Sequence, residues 1–276
     1  MNASRPPETR PPEVVERYSP RLANFFELYL RGYFAKHFDA VRVSRQGRPP
    51  EDSGGPILAY SNHPSWWDPI HFLLLARWAL PERRMFGPFD AEALKKYGFF
   101  QKLGAFGIDP STRGGAAEFL RTCRGILEVE DATLWITAQG EFSDPRRRPV
   151  VLQPGLAHLV RRLDRGLIVP LAVEYPFWNE SRPEALSFFG PPISIAEAGD
   201  RGVDEWNAVL SNALAETMDQ LSECAMSRDP ERFETLVLGK TGVGGVYDVW
   251  RRFKAMARGQ RFDASHGGDR HSRRKT

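Results

Sequence analysis

The chain predicts an α/β fold: a central mixed β-sheet flanked by helices, with an amphipathic helix ahead of it and a helical region behind. Three observations carry this expectation. Apolar runs of strand length, PILAYS (56–61), TLWITA (133–138) and GLIVPLAVEY (166–175), recur along the chain. Segments with apolar residues at helical spacing separate them, and strand alternating with helix is the pattern of an α/β sheet. Hydrophobic residues make up 41% and aromatic residues 12% of the 276 positions, enough to bury one large core and too much for wholesale disorder.

Residues 1–19 are Pro-rich at their start and read as a flexible N-terminus. From Pro20 to Phe38, residues Leu22, Phe25, Phe26, Tyr29, Leu30, Tyr33 and Phe34 recur at helical spacing. That wide apolar face can rest on the core or lie in a membrane interface. AVRVS (40–44) reads as a strand, QGRPPEDSGGP (46–56) as a polar turn region, and PILAYS as the second strand. A helix is expected over 66–80, a strand at RMFG (84–87), a helix at DAEALKKYGFF (90–100) and a strand at GAFGID (104–109). RGGAAEFLRTCRGILEVE (113–130) is helical, TLWITA a buried strand, QGEFSDPRRRP (139–149) a loop and LQPGLAHLVRRLD (152–164) a helix. GLIVPLAVEY and LSFFGPPISI (186–195) are strands, and 204–226 and 245–257 are helices. The organisation is therefore a domain over 20–200, a helical extension over 201–260, and a basic disordered tail over 261–276.

The net charge of +3, from 38 basic and 35 acidic residues, implies no global nucleic-acid field, and no nucleic-acid partner is expected. Positive charge gathers at the end: nine Lys/Arg against two Asp over 251–276, a run suited to an anionic lipid surface or to water alone. Cys123 and Cys224 stand in no CxxC or metal-type spacing, so a disulfide framework is not expected and a reducing, cytoplasmic setting is. MNASRPPETRPPE lacks the apolar core of a signal peptide, and HFLLLARWAL (71–80) is short of the roughly 20 apolar residues that span a bilayer.

The stretch YSNHPSWWDPI (60–70) sets a histidine at the end of a strand and an aspartate five residues on. With Ser65 as the helix N-cap, Asp68 falls at N3, where a carboxylate suits the helix dipole and forms a capping box. The same carboxylate can reach back to a ring nitrogen of His63 and stabilise the imidazolium formed when the other nitrogen takes a proton. Both readings fit. No GxSxG elbow occurs, so a serine nucleophile of the hydrolase type is not expected, and the histidine would act on a hydroxyl of the substrate. LGKTGVGG (238–245) lacks the first glycine of a phosphate loop, since Glu234 stands there, and reads as a linker. His71, three residues past Asp68, could share a metal with His63 and Asp68, but no flanking ligand cluster supports this.

Asn62-His63-Pro64-Ser65-Trp66-Trp67-Asp68 resembles the NHxxxxD block of the glycerolipid, or lysophospholipid, acyltransferases. KLGAFGIDPSTRGG (102–115) is similar to the family's second block, WITAQGEFSDPRRRP (135–149) to its third, and LIVPLAV (167–173) to its fourth. Four blocks in order, over roughly 55–195, are more specific than one. The resemblance implies a glycerol-phosphate-acyltransferase-like fold, an acyl donor (acyl-CoA or acyl-carrier protein), a lipid acceptor, catalysis by His63 and Asp68, and neither a metal nor a tightly held cofactor. It places substrate binding at Asn62, Ser65, Arg113, Gln139, Gly140, Glu141, Ser143 and Arg146. It also implies peripheral attachment to the inner face of the cell membrane, with the apolar face of 22–34 and the basic tail as anchors.

The departures concern the acceptor. The second block has Asp109-Pro110 in place of its usual arginine, Arg113 being the nearest basic side chain. The third has Gln139 for glutamate, Glu141 for threonine and Phe142 for arginine, while Gly140 and Ser143 match. Those blocks are where the family is thought to hold the phosphate of a glycerol acceptor. Arg146, Arg147 and Arg148 can restore such binding or form a solvated turn. Lysophosphatidate or glycerol 3-phosphate is therefore the expected acceptor, with a non-phosphorylated hydroxyl on a lipid-linked or glycosylated isoprenoid as the alternative. A lipid-surface binding module without turnover is the reading from another class.

Overall fold

The structure, a computed structural model, describes residues 11–50, 55–109 and 112–239, Arg113 by its backbone only. The expected helix at 245–257, the basic tail, and all but the first two residues of LGKTGVGG lie outside those residues.

In chain order the elements are α1 (Glu13–Arg17), α2 (Pro20–His37), β1 (Ala40–Ser44), β2 (Ile57–Ser61), α3 (Asp68–Ala79), β3 (Arg84–Asp90), α4 (Ala91–Lys96), a 3-10 helix (Gly98–Leu103), β4 (Ala105–Ile108) and α5 (Arg113–Leu127). There follow β5 (Ala132–Thr137), α6 (Pro154–Val160), β6 (Leu167–Glu174), β7 (Glu184–Phe189), β8 (Ile193–Ser194), α7 (Ile195–Ala198), α8 (Val203–Ser227), a 3-10 turn (Pro230–Arg232) and β9 (Phe233–Leu238). The sheet runs β4-β3-β5-β2-β6-β7-β1-β9, with β8 pairing β6. β2 to β6 are mutually parallel, β7 is antiparallel to β6, and β1 lies parallel to β7 and antiparallel to β9. The sheet is mixed, as expected.

The core has two sides because strand residues alternate. Leu58 and Tyr60 of β2 join a cluster with Ile126 of α5, Leu156 of α6 and Leu210 of α8. Ile57 and Ala59 point the other way, onto Phe72 and Leu75 of α3. All five residues of β2 are buried, which is why the segment reads as a continuous apolar run. On the α3 side, α2 adds Leu30 and Phe34 against Ile70, Leu74 and Val237. Phe25, Leu28 and Tyr29 of the same helix face outward. The helix therefore rests on the core by one face and leaves another exposed. Burial of Phe34 stabilises by roughly 1.5–3 kcal/mol, which sets which face turns inward.

Three local expectations are corrected. The flexible N-terminus holds α1, drawn onto the body by burial of Val14 and Val15 in the main core. The single strand over 186–195 is interrupted at Gly190-Pro191-Pro192, because proline has no N–H for the ladder; β7 ends at Phe189 and β8 pairs separately with β6. The 201–260 region is not a purely helical extension over its described part. α8 buries Trp206, Leu210, Leu214, Met218 and Leu221, and FETLVL becomes strand β9, burying Phe233 and Val237 and covering the edge of β1. Among the described residues no helix is long and apolar enough to cross a membrane.

The topology opens a crevice at one end of the sheet. From β2 the chain crosses to β3 on one side; from β5, which lies between them, it crosses to β6 on the other. Adjacent strands whose connections leave in opposite directions open a crevice at their carboxyl ends. The loops there are 62–67 after β2 and 138–153 after β5.

Candidate active site

Ser61 ends β2, and Asn62 fastens that end to β6. Its side-chain Nδ2 donates to the carbonyl of Val173 and its Oδ1 accepts the Val173 N–H, each at 2.9 Å. Asn62 is buried and spends its amide on this clamp. Pro64 disfavours a helical conformation at His63, so the chain leaves the strand extended before it turns. Asp68 then donates its N–H to the Ser65 carbonyl at 3.2 Å and opens α3. The helix thus starts later than a Ser65 N-cap implies. The side chains still exchange bonds as in a capping box: Ser65 Oγ accepts the Trp67 N–H at 3.3 Å and Asp68 Oδ2 the Ser65 N–H at 3.2 Å.

That carboxylate also meets the histidine. His63 Nδ1 lies 2.6 Å from Asp68 Oδ2, and the Tyr175 hydroxyl donates to Asp68 Oδ1 at 2.7 Å. The Asp68 side chain is wholly buried while that of His63 is 16% exposed, so the pair runs from interior to surface. Burial pushes the Asp68 carboxyl above the usual carboxylate range, and the bonds from His63 and Tyr175 pull it back. With Nδ1 committed to Asp68, Nε2 is the ring nitrogen that can take a proton.

The loop after β5 holds the main chain of His63 on both sides. Gln139 Oε1 accepts the His63 N–H at 2.9 Å, and Ser143 donates its N–H to the His63 carbonyl at 2.9 Å. Gly140 between them has φ 72°, and a Cβ there would meet Gln153 Cγ at 2.7 Å, so the turn requires glycine. Phe142 lays its ring against the His63 imidazole, centroids 4.5 Å apart, and remains 62% exposed.

Of the residues expected to bind substrate, Asn62, Ser65, Gln139, Gly140 and Ser143 surround His63 with Asp68, and their polar contacts support His63 and its loop. Glu141 and Arg146 lie on the exposed part of the loop. Arg146 forks onto Asp144, Nε to Oδ1 at 2.9 Å and Nη2 to Oδ2 at 2.6 Å, which holds the Asp144 carboxyl well below the usual range. Arg148 pairs with Asp219 of α8. Arg113 is the first residue of α5, with Thr112 Oγ1 accepting the Gly115 N–H as the cap.

Tyr175 was not among the expected site residues, and Phe142 was expected only as a departure from the third block, not as a ring against His63. A polar aromatic at the end of an otherwise apolar strand, LIVPLAVEY, was the available signal for Tyr175. His71, weighed as a metal ligand, has both ring nitrogens engaged away from His63: Nδ1 with the Tyr175 hydroxyl and Nε2 with Ser187 Oγ, each at 3.2 Å. It is fully buried, and burial pushes its pKa down to about 3, so the ring is neutral. Among the described residues no group of three or more His, Cys, Asp or Glu is arranged to hold a metal.

A family model described as Acyltransferase matches residues 24–174, more than half of the chain. No curated protein matches the sequence. Among solved structures, the 1-acyl-sn-glycerophosphate acyltransferase PlsC from Thermotoga maritima is similar to this chain with a TM-score of 0.49 and 11% identity, covering 73% of this chain and 80% of that one.

Proposed function

The chain belongs to the acyltransferase family, and on that premise we propose that it transfers a fatty acyl group from an acyl thioester, acyl-CoA or acyl-carrier protein, to a hydroxyl of a lipid. His63 Nε2 takes the proton of the acceptor hydroxyl as its oxygen attacks the thioester carbonyl. The tetrahedral species collapses with cleavage of the C–S bond, and the imidazolium returns the proton to the leaving thiolate. Asp68 holds Nδ1–H and stabilises the imidazolium between the two transfers. The observation that carries this reading is the 2.6 Å contact between a wholly buried carboxylate and a partly exposed histidine. The test is thiol release from acyl-CoA across a panel of hydroxyl acceptors. His63→Ala should lower turnover by about 10²–10⁴-fold with its unfolding transition unchanged. Retained turnover would sink the mechanism, and no thiol release with any acceptor would favour a binding module.

The acceptor in this reading is a glycerolipid of the lysophosphatidate or glycerol 3-phosphate kind. Specific contacts favour a second acceptor, a non-phosphorylated lipid-linked or glycosylated hydroxyl. Phe142 covers the flank of His63, Arg146 is occupied by Asp144 and Arg148 by Asp219. A phosphate would have to compete with these ion pairs. The same panel separates the two.

The reading includes a peripheral position on the inner face of the cell membrane. Phe25, Leu28 and Tyr29 of α2 and Trp66 of the site loop are exposed, and ring contacts run Phe26–Tyr29–Tyr33–Trp67–Trp66 from the helix to the loop that carries His63. Phe99 touches the same row, and the exposed Lys95 and Lys96 stand nearby in the chain. Aromatic residues with adjacent cations suit a lipid interface. Co-sedimentation with anionic vesicles should fall about tenfold or more in Phe25→Ser/Leu28→Ser; unchanged binding would remove α2 from the anchor.

A further inference from the structure

Behind Asp68 lies a row of side chains that the acyl-transfer mechanism does not itself require. Tyr175 follows the last residue of β6, His71 stands one turn after Asp68 on α3, and Ser187 is on β7, where it pairs in register with Val173. Their contacts form one line: Ser187 Oγ to His71 Nε2 at 3.2 Å, His71 Nδ1 to the Tyr175 hydroxyl at 3.2 Å, and that hydroxyl to Asp68 Oδ1 at 2.7 Å. Ser187 and His71 are fully buried.

Proton counting gives the line a direction. The Tyr175 hydroxyl has one hydrogen, and the 2.7 Å contact spends it on the carboxylate. Its oxygen must then accept from His71, so the single proton of that neutral imidazole sits on Nδ1. Nε2 is left as an acceptor for the Ser187 hydroxyl. Every donor points toward Asp68. Hydrogen bonds aligned in series polarise one another, and in a buried site such a row is held rigidly.

We propose that Tyr175, His71 and Ser187 are positioning residues that orient the Asp68 carboxylate and, through it, hold His63 as the Nδ1–H tautomer with Nε2 free to act as base. This rests on the reading of His63 as the base. Asp68 Oδ2 is shared between His63 Nδ1 and the Ser65 N–H, so among the described residues Tyr175 alone fixes Oδ1 and hence the plane of the carboxylate. The titratable and charged groups around the row are His63 and Asp68 themselves and His37 of α2, whose ring packs on Trp67. Glu174 of β6 lines a small cavity with Asn62 and Arg146, and Asp144 stands beyond it, paired with Arg146. None of these others bonds to the carboxylate in place of Tyr175.

Removing the Tyr175 hydroxyl withdraws a donor from the Asp68 anion, so the His63–Asp68 pair binds its extra proton more tightly. The acid limb of the pH–rate profile should therefore move to higher pH. In Tyr175→Phe, kcat should fall roughly 10- to 100-fold, the effect of losing a hydrogen bond to a charged group, while KM for the acyl donor stays within about twofold. NMR titration of the His63 imidazole should show the same upward displacement without any substrate. A folded Tyr175→Phe protein with wild-type kcat and a wild-type His63 titration overturns the proposal. Should that variant not fold, His71→Leu and His71→Asn decide. The asparagine keeps an N–H for Tyr175 and should restore the titration that leucine displaces; identical titrations in the two overturn the proposal. The imidazole signals report on positioning even if His63→Ala retains turnover, so the two ideas fail separately.

Discussion

Two regions of this molecule bury carboxylates, and they do so to opposite ends. At the carboxyl end of β2, Asp68 is held by a histidine, a tyrosine and a backbone N–H. At the β7–β1–β9 side of the sheet, Glu184 is held by Arg42, Nε to Oε2 at 2.9 Å, with Asp39 beside it. Arg42 also donates to Thr235 on β9 at 2.6 Å, so this cluster ties three strands together. Burial drives the carboxyl upward in both places, Glu184 to about 7. The difference lies in the partner. A guanidinium keeps its charge at every working pH and makes a fixed cross-link; a partly exposed imidazole can gain and lose a proton. Burial of an acid is therefore no sign of chemistry until its partner can titrate.

Two substitutions break that comparison, the larger effect first. Asp68→Asn should reduce acyl transfer by about 10³–10⁴-fold, because an amide no longer holds the Nδ1–H tautomer, while chemical denaturation shows a transition close to wild type. A comparable loss of stability would make Asp68 a structural acid like Glu184. Arg42→Met should do the reverse. Leaving Glu184 buried without its cation costs about 3–5 kcal/mol in denaturant unfolding, with the pH dependence of acyl transfer kept. Glu184 has a folded pKa raised above its unfolded value, and removing Arg42 raises it further. The protonated carboxyl needs no cation, so the loss should be greatest above pH of about 7 and shrink as pH falls. A loss independent of pH would place the effect in packing and in the Thr235 contact instead.

The sequence announced some parts of the site and hid others for identifiable reasons. His63 and Asp68 are five residues apart, so strand, Pro64 and helix start bring them together within one local turn. Gln139 and Ser143 were expected as substrate-binding residues; their contacts with the main chain of His63 depend on β5 lying beside β2 in parallel register, Ser61 opposite Thr137. Tyr175 lies 107 residues from Asp68, and only the pairing of β2 with β6 closes that gap. Phe142 could be read as a departure from a block, but its position over an imidazole could not. Strand β9 was missed because FETLVL follows a long helix and finds its partner only in β1, far earlier in the chain.

What the sequence by itself determined is whatever depends on near neighbours. The alternation of strand and helix, the apolar runs of the central strands, the aromatic face of α2 and the His63–Asp68 turn all follow from periodicity, proline and capping within a few residues. The tertiary structure decided which face of α2 is buried, where β1 finds an edge partner, and which hydroxyl supports Asp68. Those choices turn on contacts between segments distant in the chain, where packing and the satisfaction of buried polar groups outweigh any local preference.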